Sequence, residues 1–384
     1  MVEWKKLGEV CEVLNGFAFK SNEYVDEGIR VIRISDVQSG YLSNKDKVYY
    51  PTAKKQEIQK QLLHAGDLVM SLTGNPGRVA LIDEENCALN QRVACLRTEG
   101  NLKSFLFYLF NSKDFENIAF ANSTGGAQKN LGTTWLKNFL IPIPSLQEQE
   151  RIVGILDTFT ACIDNLKAQI EQRRKQYEHY RDQLLDLEGK EDNDIHCWGE
   201  FCKIEKGNGV QKADFVDEGV GCIHYGQIYT HYGSYTYETN KFVSKEVFEK
   251  AKKASRGDIV MTDTSENVED ICKSVAWLGD DDIAVSNHAL IIKHKQNPKF
   301  LSYSTLTNSF FIQKRKVVFG VKVSGIKPEH LAQIKIYLPS LQEQERIVGI
   351  LDTFEASIAN LEAQLEQRQK QYEYYREKLL TFER

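Results

Sequence analysis

A segment of sixteen residues occurs twice in this chain of 384 residues, letter for letter, as Pro144–Phe159 and as Pro339–Phe354. Looser agreement at the same spacing continues to Leu185 and Leu380. Chance does not produce a repeat of this length, and a fixed period decides the architecture before any local prediction. The chain is therefore expected to contain two copies of one structural unit.

The regions before the two segments resemble each other only faintly. Val25–Gly28 matches Val216–Gly219, and Gly66–Met70 matches Gly257–Met261 with a single change. The length exceeds that of an ordinary single domain, so two or more domains are expected. Sparse agreement of this kind predicts one fold that carries two different surfaces.

Each repeated segment has the signature of a helix start. Ser145 with Glu148 three residues later forms a capping box, and no proline follows within the helix. Apolar residues then recur at alternating steps of four and three, which is the seam of a coiled coil. The predicted seam positions are Phe159, Ile163, Leu166, Ile170, Tyr177, Tyr180 and Leu184, and Phe354, Ile358, Leu361, Leu365, Tyr372, Tyr375 and Leu379.

Two equivalent seams in one chain predict two helices that pack on each other as an antiparallel coiled coil, with a pseudo-two-fold internal repeat. The alternative is two separate amphipathic helices, each lying on its own domain. The regions before the helices contain short β-branched and aromatic runs, such as Arg30–Ile34 and Ala289–Lys293, separated by Gly, Asn and Asp. The expected fold class is α+β, with two mixed α/β domains alternating with two long helices.

The expected boundaries follow from these patterns. They are 1–144 for the first domain, 145–188 for the first helix, 189–195 for a polar linker, 196–339 for the second domain and 340–384 for the second helix.

Charge is distributed unevenly along the chain, whose formal net charge is -5. Residues 1–144 and 196–339 carry +1 and +2, whereas 145–195 and 340–384 carry -5 and -3. Because affinity for nucleic acid comes largely from Lys and Arg, near-neutral domains predict weak DNA binding by the isolated chain. The eight cysteines lack metal-ligand spacing and are expected to be reduced thiols. Without a signal peptide or an apolar run of spanning length, a cytoplasmic protein is expected, with no membrane association.

The sequence lacks the motifs that catalysis on DNA would need. No phosphate-binding G-x-x-x-x-G-K-[ST] loop, no Gly-rich turn for a methyl donor and no Asn-Pro-Pro-aromatic motif occurs. Asp280–Asp282 is either a cation site or a solvated turn, and the turn is favoured. No catalytic residue, no metal site and no cofactor is therefore expected in this chain.

The pattern around the helix starts resembles a known family. Ile141–Ile152 and Ile336–Ile347 each place a short Pro-containing strand before Leu-Gln-Glu-Gln-Glu-Arg-Ile, and Tyr337 stands where the first copy has Pro142. Together with the Gly-Asp-[Leu/Ile]-Val elements and Ser123–Leu131, this pattern is similar to that of the specificity subunits of Type I restriction-modification systems. The similarity covers essentially the whole chain.

The resemblance implies a sequence-specific DNA-binding subunit whose two target recognition domains each read half of a bipartite site in double-stranded DNA. It implies that the helices set the spacing and bind two modification (methyltransferase) subunits, which restriction subunits then join. S-adenosylmethionine, ATP and Mg would belong to those partners. An alternative is a coiled-coil adaptor that joins two protein-binding domains without contacting DNA. A second alternative is a stand-alone enzyme with an unfamiliar nuclease or methyltransferase site.

Base recognition needs polar side chains aimed at base edges, with Lys, Arg and backbone amides on phosphates. The loops that follow the repeated strands supply them. The DNA-binding candidates are Arg33, Ser35, Asp36, Ser71, Thr73, Asn75, Arg78, Asn90, Gln91, Arg92, Gln128, Lys129, His224, Tyr225, Gln227, Thr262, Asp263, Thr264, Ser265, Asn287, His288, Lys322 and Ser324. Any single one of them is more often structural than base-contacting. The basic run Lys314–Lys316 fits phosphate binding or a solvated face equally well.

The identity of the repeated segments includes polar positions that a coiled-coil seam does not require. These positions predict a surface that meets the same partner twice, although recent duplication or a recombining locus would also keep them identical. The partner-binding candidates are Gln147, Glu148, Gln149, Arg151, Gln342, Glu343, Gln344 and Arg346. A helix of forty residues spans about 60 Å, which exceeds the roughly 34 Å of one duplex turn.

Overall fold

Two α-helices of forty residues occupy the repeated segments, α5 (Leu146–Leu185) and α12 (Leu341–Leu380). The computed structural model describes residues 2–125, 129–320 and 324–383. At the start of each helix a serine caps the backbone, because Ser145 Oγ accepts from the Glu148 amide at 3.3 Å and Ser340 Oγ accepts from the Glu343 amide at 3.4 Å. The prediction of two long helices with these starts is confirmed.

The chain forms two compact units, and their borders fall inside the helices rather than at the helix ends. Unit 1 comprises Met1–Lys167 with Ala363–Arg384, and unit 2 comprises Ala168–Glu362. Each unit therefore contains one domain, the first half of the helix that follows it, and the second half of the other helix.

Unit 1 contains ten strands and four shorter helices among its described residues. They are β1 (Glu3–Lys6), α1 (Leu7–Val10), β2 (Glu12–Asn15), β3 (Ile29–Ile32), β4 (Tyr49–Tyr50), β5 (Leu62–Leu63), β6 (Leu68–Ser71), β7 (Val79–Leu81), β8 (Cys87–Leu89), β9 (Val93–Arg97), α2 (Gly100–Phe110), α3 (Lys113–Ala121), α4 (Thr133–Asn138) and β10 (Leu140–Ile143). One sheet has the order β2-β9-β6-β7 and is antiparallel, and a second has the order β4-β3-β8-β5 with β3 and β8 parallel. Strand β1 pairs with β10 immediately before α5.

Unit 2 repeats this plan with additional strands. Its elements are β11 (Ile195–Cys197), α6 (Trp198–Phe201), β12 (Lys203–Lys206), β13 (Phe215–Val216), β14 (Val220–Ile223), α7 (Tyr225–Thr230), β15 (Tyr235–Thr236), β16 (Lys241–Val243), α8 (Lys245–Lys250), β17 (Lys253–Ala254), β18 (Ile259–Thr262), β19 (Thr264–Ser265), β20 (Ser274–Trp277), β21 (Ile283–Val285), β22 (Ala289–Lys293), α9 (Pro298–Ser304), α10 (Asn308–Val317), β23 (Ser324–Gly325), α11 (Pro328–Leu331) and β24 (Lys335–Tyr337). The sheets have the orders β12-β22-β18-β20-β15 and β13-β16-β14-β21-β17. The mixed α/β character expected of both domains is confirmed.

The repeated Gly-Asp pair makes the same turn in both units. Gly66 and Gly257 have φ of 87° and 93°, a left-handed conformation that favours glycine. Asp67 accepts from the His64 amide at 2.9 Å, and Asp258 accepts from the Ser255 amide at 2.8 Å. This local geometry explains why the pair survives where most of the surrounding sequence has diverged.

The two aspartates differ in their cationic partners. Arg97 donates to both oxygens of Asp67, at 3.1 and 2.6 Å, whereas Lys293 lies 4.0 Å from Asp258. Burial raises the pKa of Asp67, but the Arg97 hydrogen bonds, the His64 amide and the Arg97 charge outweigh it and leave the pKa lowered. Burial dominates at Asp258 and raises its pKa.

The helices pack antiparallel, and each unit shows the same contact. In unit 1 the ring of Phe159, early in α5, stacks on Tyr375, late in α12, with centroids 5.5 Å apart. In unit 2 Phe354, early in α12, stacks on Tyr180, late in α5, also at 5.5 Å. Arg368 lies 5.7 Å over Phe159, and Arg173 lies 5.9 Å over Phe354. The predicted antiparallel seam is confirmed.

The remaining predicted seam positions differ in their burial and in their contacts. Ile163, Leu166 and Ile170 are buried. Leu184 and Leu379 are half-buried and pack against the domain cores of units 2 and 1. Tyr177 and Tyr372 contact the rings of Phe354 and Phe159 at 6.4 and 6.3 Å. Ile358, Leu361 and Leu365 are half-buried.

Candidate nucleic-acid interface

In unit 1 the loop after β6 is built around a buried hydroxyl. Ser71, which is 2% exposed, donates from Oγ to the Asn75 carbonyl at 2.6 Å and accepts from the Arg78 amide at 3.2 Å. Asn75 is exposed at the tip, and Arg78 donates from Nη1 to Gln38 at 2.9 Å. Ser71 therefore shapes the loop, Asn75 is exposed at its tip, and half-buried Arg78 joins it to Gln38.

Two neighbouring segments join this loop through backbone hydrogen bonds. The Leu72 amide donates to the Arg92 carbonyl at 2.9 Å, and the Gly74 amide donates to the Lys129 carbonyl at 3.1 Å. Gln91 and Arg92 are exposed, whereas Asn90 and Thr73 are half-buried. The Lys129 ammonium lies 5.0 Å over the ring of Phe120. Gln128 lies outside the described residues.

The loop after β3 is held by an ion pair of its own. Asp36, which is 2% exposed, accepts from the Arg33 amide at 2.8 Å and lies 3.4 Å from the Arg33 guanidinium. Arg33 also donates to the Asp46 carbonyl at 2.5 Å. Asp36 thus holds the arginine in place, and Ser35 remains exposed beside it. The three loops form the recognition cluster of unit 1, defined as residues 33–38, 71–78 and 90–92.

Unit 2 brings its candidates together at the ends of the corresponding strands. The Tyr225 amide donates to Ser286 Oγ at 2.9 Å, and the rings of Tyr225 and His288 lie 5.2 Å apart. His224 is buried, accepts from the Gly226 amide at 3.2 Å, and has its pKa lowered by burial. Gln227 is also buried and accepts from the His224 amide at 2.9 Å. His224 and Gln227 therefore shape this loop, and Tyr225 and His288 face its surface.

The loop after β18 contributes a buried carboxylate. Asp263, which is 3% exposed, pairs with Lys206 at 2.8 Å and accepts from Thr264 Oγ1 at 2.8 Å. Thr264 Oγ1 also lies 3.3 Å from His288 Nδ1, and Asn287 Oδ1 accepts from the Gly209 amide at 2.7 Å. The recognition cluster of unit 2 is defined as residues 224–227, 262–265 and 286–288.

Four other candidates of unit 2 are interior or outside the described residues. Thr262 is fully buried, and Ser265 pairs with Ser324 across β19 and β23, where both side chains are buried. Lys322 lies outside the described residues. Lys314, from the basic run, is 5% exposed and donates to the carbonyls of Glu269 and Ile271 at 2.8 and 2.7 Å. Lys314 therefore fits neither phosphate binding nor a solvated face, whereas Arg315 and Lys316 of the same run are exposed.

Sequence reasoning missed two features of the clusters. Lys206 is 58% exposed on its side chain and adds a cation beside Asp263. A Cβ on Gly16 would lie 2.0 Å from the Asn90 carbonyl oxygen, and one on Gly207 would lie 2.3 Å from the Ser286 carbonyl oxygen. The paired glycines after β2 and β12 are the sequence signal for this close approach.

The helix starts present the same charged pair twice. Arg151 donates to both oxygens of Glu148 at 2.8 and 2.6 Å, and Arg346 donates to those of Glu343 at 2.7 and 2.6 Å. The Arg hydrogen bonds lower the pKa of both glutamates. The neighbouring Gln147 and Gln342 are exposed.

Two of the partner-binding candidates lie inside their units. Gln149 and Gln344 are 6% and 0% exposed, and each donates to the carbonyl of the proline five residues earlier, at 2.9 and 2.8 Å. Gln344 also accepts from the Asn297 amide at 3.0 Å. These two side chains fasten the helix starts to the domains, so their identity in both copies has a structural reason.

A tyrosine anchors each domain to its helix, and this contact was also missed. In unit 1 Tyr108 donates to Asp157 at 2.5 Å. In unit 2 the equivalent Tyr303 donates to Asp352 at 2.8 Å and to Glu355 at 2.9 Å. Burial raises the pKa of Glu355. The signal was present, because both tyrosines and both aspartates recur at the spacing of the repeat.

In the described parts of the chain, no helix is long and apolar enough to cross a bilayer. Residues 2–125, 129–320 and 324–383 contain no group of three or more His, Cys, Asp or Glu placed to hold a metal ion. All eight cysteines are free thiols.

Solved structures share this fold over nearly the whole chain. The S subunit of a Type I restriction-modification system from M. genitalium aligns with 100% of this chain and 97% of its own, with a TM-score of 0.56 and 16% identity. A chain from a study of complex assembly and conformational transition of the type I R-M system aligns over 99% and 97%, with a TM-score of 0.59 and 18% identity.

Sequence relatives agree with the structural ones. A Haemophilus influenzae protein provisionally named as a type I restriction enzyme specificity subunit is 28% identical over 99% of this chain and 96% of its own length. The EcoR124I/EcoR124II specificity subunit of Escherichia coli is 31% identical over 65% of each chain. The family profile of the Type I restriction modification DNA specificity domain matches twice, at residues 1–173 and 190–368. The chain therefore belongs to the family of Type I restriction-modification specificity subunits and carries two copies of the family's domain.

Proposed function

We propose that the domains of units 1 and 2 each read one half of a bipartite site in double-stranded DNA, through the two recognition clusters. The observation that carries this proposal is that equivalent loops are polar in both units yet differ in their residues. Gln91 corresponds to Asn287 and Arg92 to His288 in the strand registers. One scaffold with different hydrogen-bonding groups fits two different half-sites, because base edges are distinguished by their donors and acceptors.

The exposed charged pairs at the helix starts support a second part of the proposal, the binding of two modification subunits. Glu148 with Arg151 and Glu343 with Arg346 offer the same geometry on identical sequence. A surface that occurs twice suits two copies of one partner. This chain is proposed to be non-catalytic, with S-adenosylmethionine on the modification subunits and ATP with Mg on the restriction subunits.

Coexpression with a Type I modification subunit tests the reading role. The complex should methylate adenine within a split sequence, which single-molecule sequencing of the methylated DNA identifies. Replacing Gln91 and Arg92 by alanine should relax the sequence preference in one half-site and leave the other half-site unchanged as an internal control. Methylation that shows no split sequence, or a complex that does not form, would contradict the proposal.

The helices are proposed to set the unread gap between the half-sites. Inserting seven residues between 167 and 168 and seven between 362 and 363 would lengthen both helices by about 10 Å while keeping the seam in phase. We expect the unread gap to grow by about three base pairs at 3.4 Å each. The control is an insertion in one helix only, which misaligns the seam and should reduce assembly. An unchanged gap in the double insertion would refute the spacing role.

A further inference from the structure

Unit 2 contains a cavity of about 860 Å³ beside the starts of β14 and β21. Aromatic side chains, including Tyr237, Phe242 and Trp277, line it together with the carboxylates Glu238 and Asp280–Asp282. No lysine, arginine or histidine is among its lining residues. Because the recognition cluster of unit 2 follows the opposite ends of the same strands, the cavity is separate from the proposed DNA-reading surface.

The corresponding place in unit 1 is filled by the chain itself. Val31 pairs with Ala88 in β3 and β8, and Cys222 pairs with Ala284 in β14 and β21, so Arg30 and Gly221 hold the same position. The Arg30 side chain is 2% exposed. Unit 2 therefore has the cavity where unit 1 has a buried arginine.

The groups that hold the Arg30 guanidinium show what this place accommodates. Nη2 donates to the Ser43 carbonyl at 2.6 Å, and Nη1 donates to Asn44 at 3.1 Å and pairs with Glu84. In unit 2 the residues around Gly221 are Tyr237 and the carboxylates of Glu238 and Asp280–Asp282. Unit 2 thus has carboxylates and an aromatic wall at this place, but it lacks the arginine.

The surrounding charges also differ between the two units. In unit 1 a second cation, Lys47, lies 3.4 Å from Glu84, whereas the residues that line the cavity in unit 2 include no lysine or arginine. Asp280 pairs with Arg256, which is 62% exposed on its side chain. Glu238, Asp281 and Asp282 have no ion pair within 4 Å in residues 2–125, 129–320 and 324–383. The cavity is therefore short of positive charge.

We propose that this cavity binds the guanidinium group of an arginine side chain presented by a partner polypeptide. Guanidinium matches carboxylates through paired hydrogen bonds and stacks on aromatic faces, and both kinds of group line the cavity. DNA is an unsuitable occupant because its phosphates would be repelled by the carboxylates. The proposal goes beyond DNA reading and does not depend on it.

Indole signals in NMR spectra of the full ¹⁵N-labelled chain provide a local test. The chain has four tryptophans, and the Trp277 indole donates to the Asp281 carbonyl at 2.8 Å at the cavity wall. A peptide acetyl-Gly-Arg-Gly-amide should shift the Trp277 signal saturably at or below about 10 mM, the range of a weak single-side-chain contact. The other three indoles serve as controls, and Trp277→Phe assigns the signal.

Matched peptides and variants decide the outcome. The citrulline peptide, which keeps the shape and loses the charge, should bind at least about tenfold more weakly, and the lysine peptide at least about threefold more weakly. Asp282→Asn and Glu238→Gln should each weaken the arginine peptide at least about threefold, whereas Glu85→Gln, which removes an exposed carboxylate in unit 1, should not. No shift with the arginine peptide, or equal binding of arginine and citrulline peptides, would overturn the proposal.

A second variant fills the cavity from within the chain. A Cβ on Gly221 would lie 2.6 Å from Thr239 Oγ1, so Gly221→Arg is best made together with Thr239→Ala. The double variant should abolish the peptide-induced Trp277 shift, while Thr239→Ala alone should retain it. Peptide binding that persists in a folded double variant would show that the peptide binds elsewhere.

Discussion

The two aspartates of the repeated Gly-Asp turn allow a comparison inside one chain. Asp67→Asn keeps an oxygen for the His64 amide but removes the charge that Arg97 contacts with two hydrogen bonds. Loss of a charged hydrogen-bonded pair at a site this buried costs about 2 kcal/mol. Asp258→Asn keeps the Ser255 contact and loses only a lysine at 4.0 Å, so its cost should stay below about 0.5 kcal/mol.

The pH dependence of the two effects has opposite sign. The lowered pKa of Asp67 means that its charge stabilises the fold above its unfolded value of roughly 4, and that this stabilisation is lost as the pH falls through the lowered pKa. The raised pKa of Asp258 means that its stabilising contribution is present below roughly 4 and is lost as the pH rises through the raised pKa. At pH 7 only the charge of Asp67 should therefore stabilise the fold.

Hydrogen exchange followed by mass spectrometry measures each unit separately, which suits a chain in which unfolding need not be two-state. At pH 7 Asp67→Asn should speed exchange of the Leu68–Ser71 amides about 30-fold, the equivalent of 2 kcal/mol. Asp258→Asn should change the Ile259–Thr262 amides less than about threefold. If the two variants accelerate amide exchange equally in Leu68–Ser71 and Ile259–Thr262, then the ion pair of Asp67 with Arg97 does not explain the difference in stability, and this reasoning is refuted.

Three further outcomes follow from the described contacts. Arg78→Ala should relax the base preference at one position of the half-site, at a cost of about 1–3 kcal/mol, when the methylated sites are sequenced. Methylation that becomes weaker to the same extent at all sequences would instead make Arg78 a phosphate contact. Phe159→Ala and Phe354→Ala should each lower the free energy of unfolding by about 2–3 kcal/mol in denaturant titrations, and costs that differ by more than about 1 kcal/mol would contradict the equivalence of the two stacked contacts. Tyr303→Phe should cost about 1–2 kcal/mol in the same titrations, because the half-buried carboxylate of Glu355 loses a donor, and an unchanged midpoint would show that water replaces the hydroxyl.

The helices were predictable because their seam is periodic over forty residues and occurs twice, so each copy supports the other. The domains were predictable only as a class, since their strands are two to five residues long and pair over large sequence separations. The sequence predicted that the polar loops after the repeated strands read DNA, and that role stays a prediction for both recognition clusters. The sequence alone also does not distinguish Asp36 or Ser71, which satisfy backbone groups inside the loops, from Ser35 or Asn75 on the surface.

The division of the chain into units could not be predicted from the periodic pattern. A seam of uniform period gives no sign that the first and second halves of a helix belong to different units. The decisive contacts are single residues at the helix ends, such as Leu380 in the core of unit 1 and Leu185 in the core of unit 2. Both leucines look like ordinary seam neighbours in the sequence.

The composition of unit 1 from two distant stretches of chain has a consequence for synthesis on the ribosome. Unit 2 is continuous in the chain and can complete its core as soon as residue 362 has emerged. Unit 1 must wait for Leu380 and Phe382, whose ring lies 6.1 Å from that of Phe105. The domain that is translated first is thus expected to be the last to fold, and a nascent chain stopped at residue 362 should expose the surface of Phe105 to chaperones and proteases while its second half is already native.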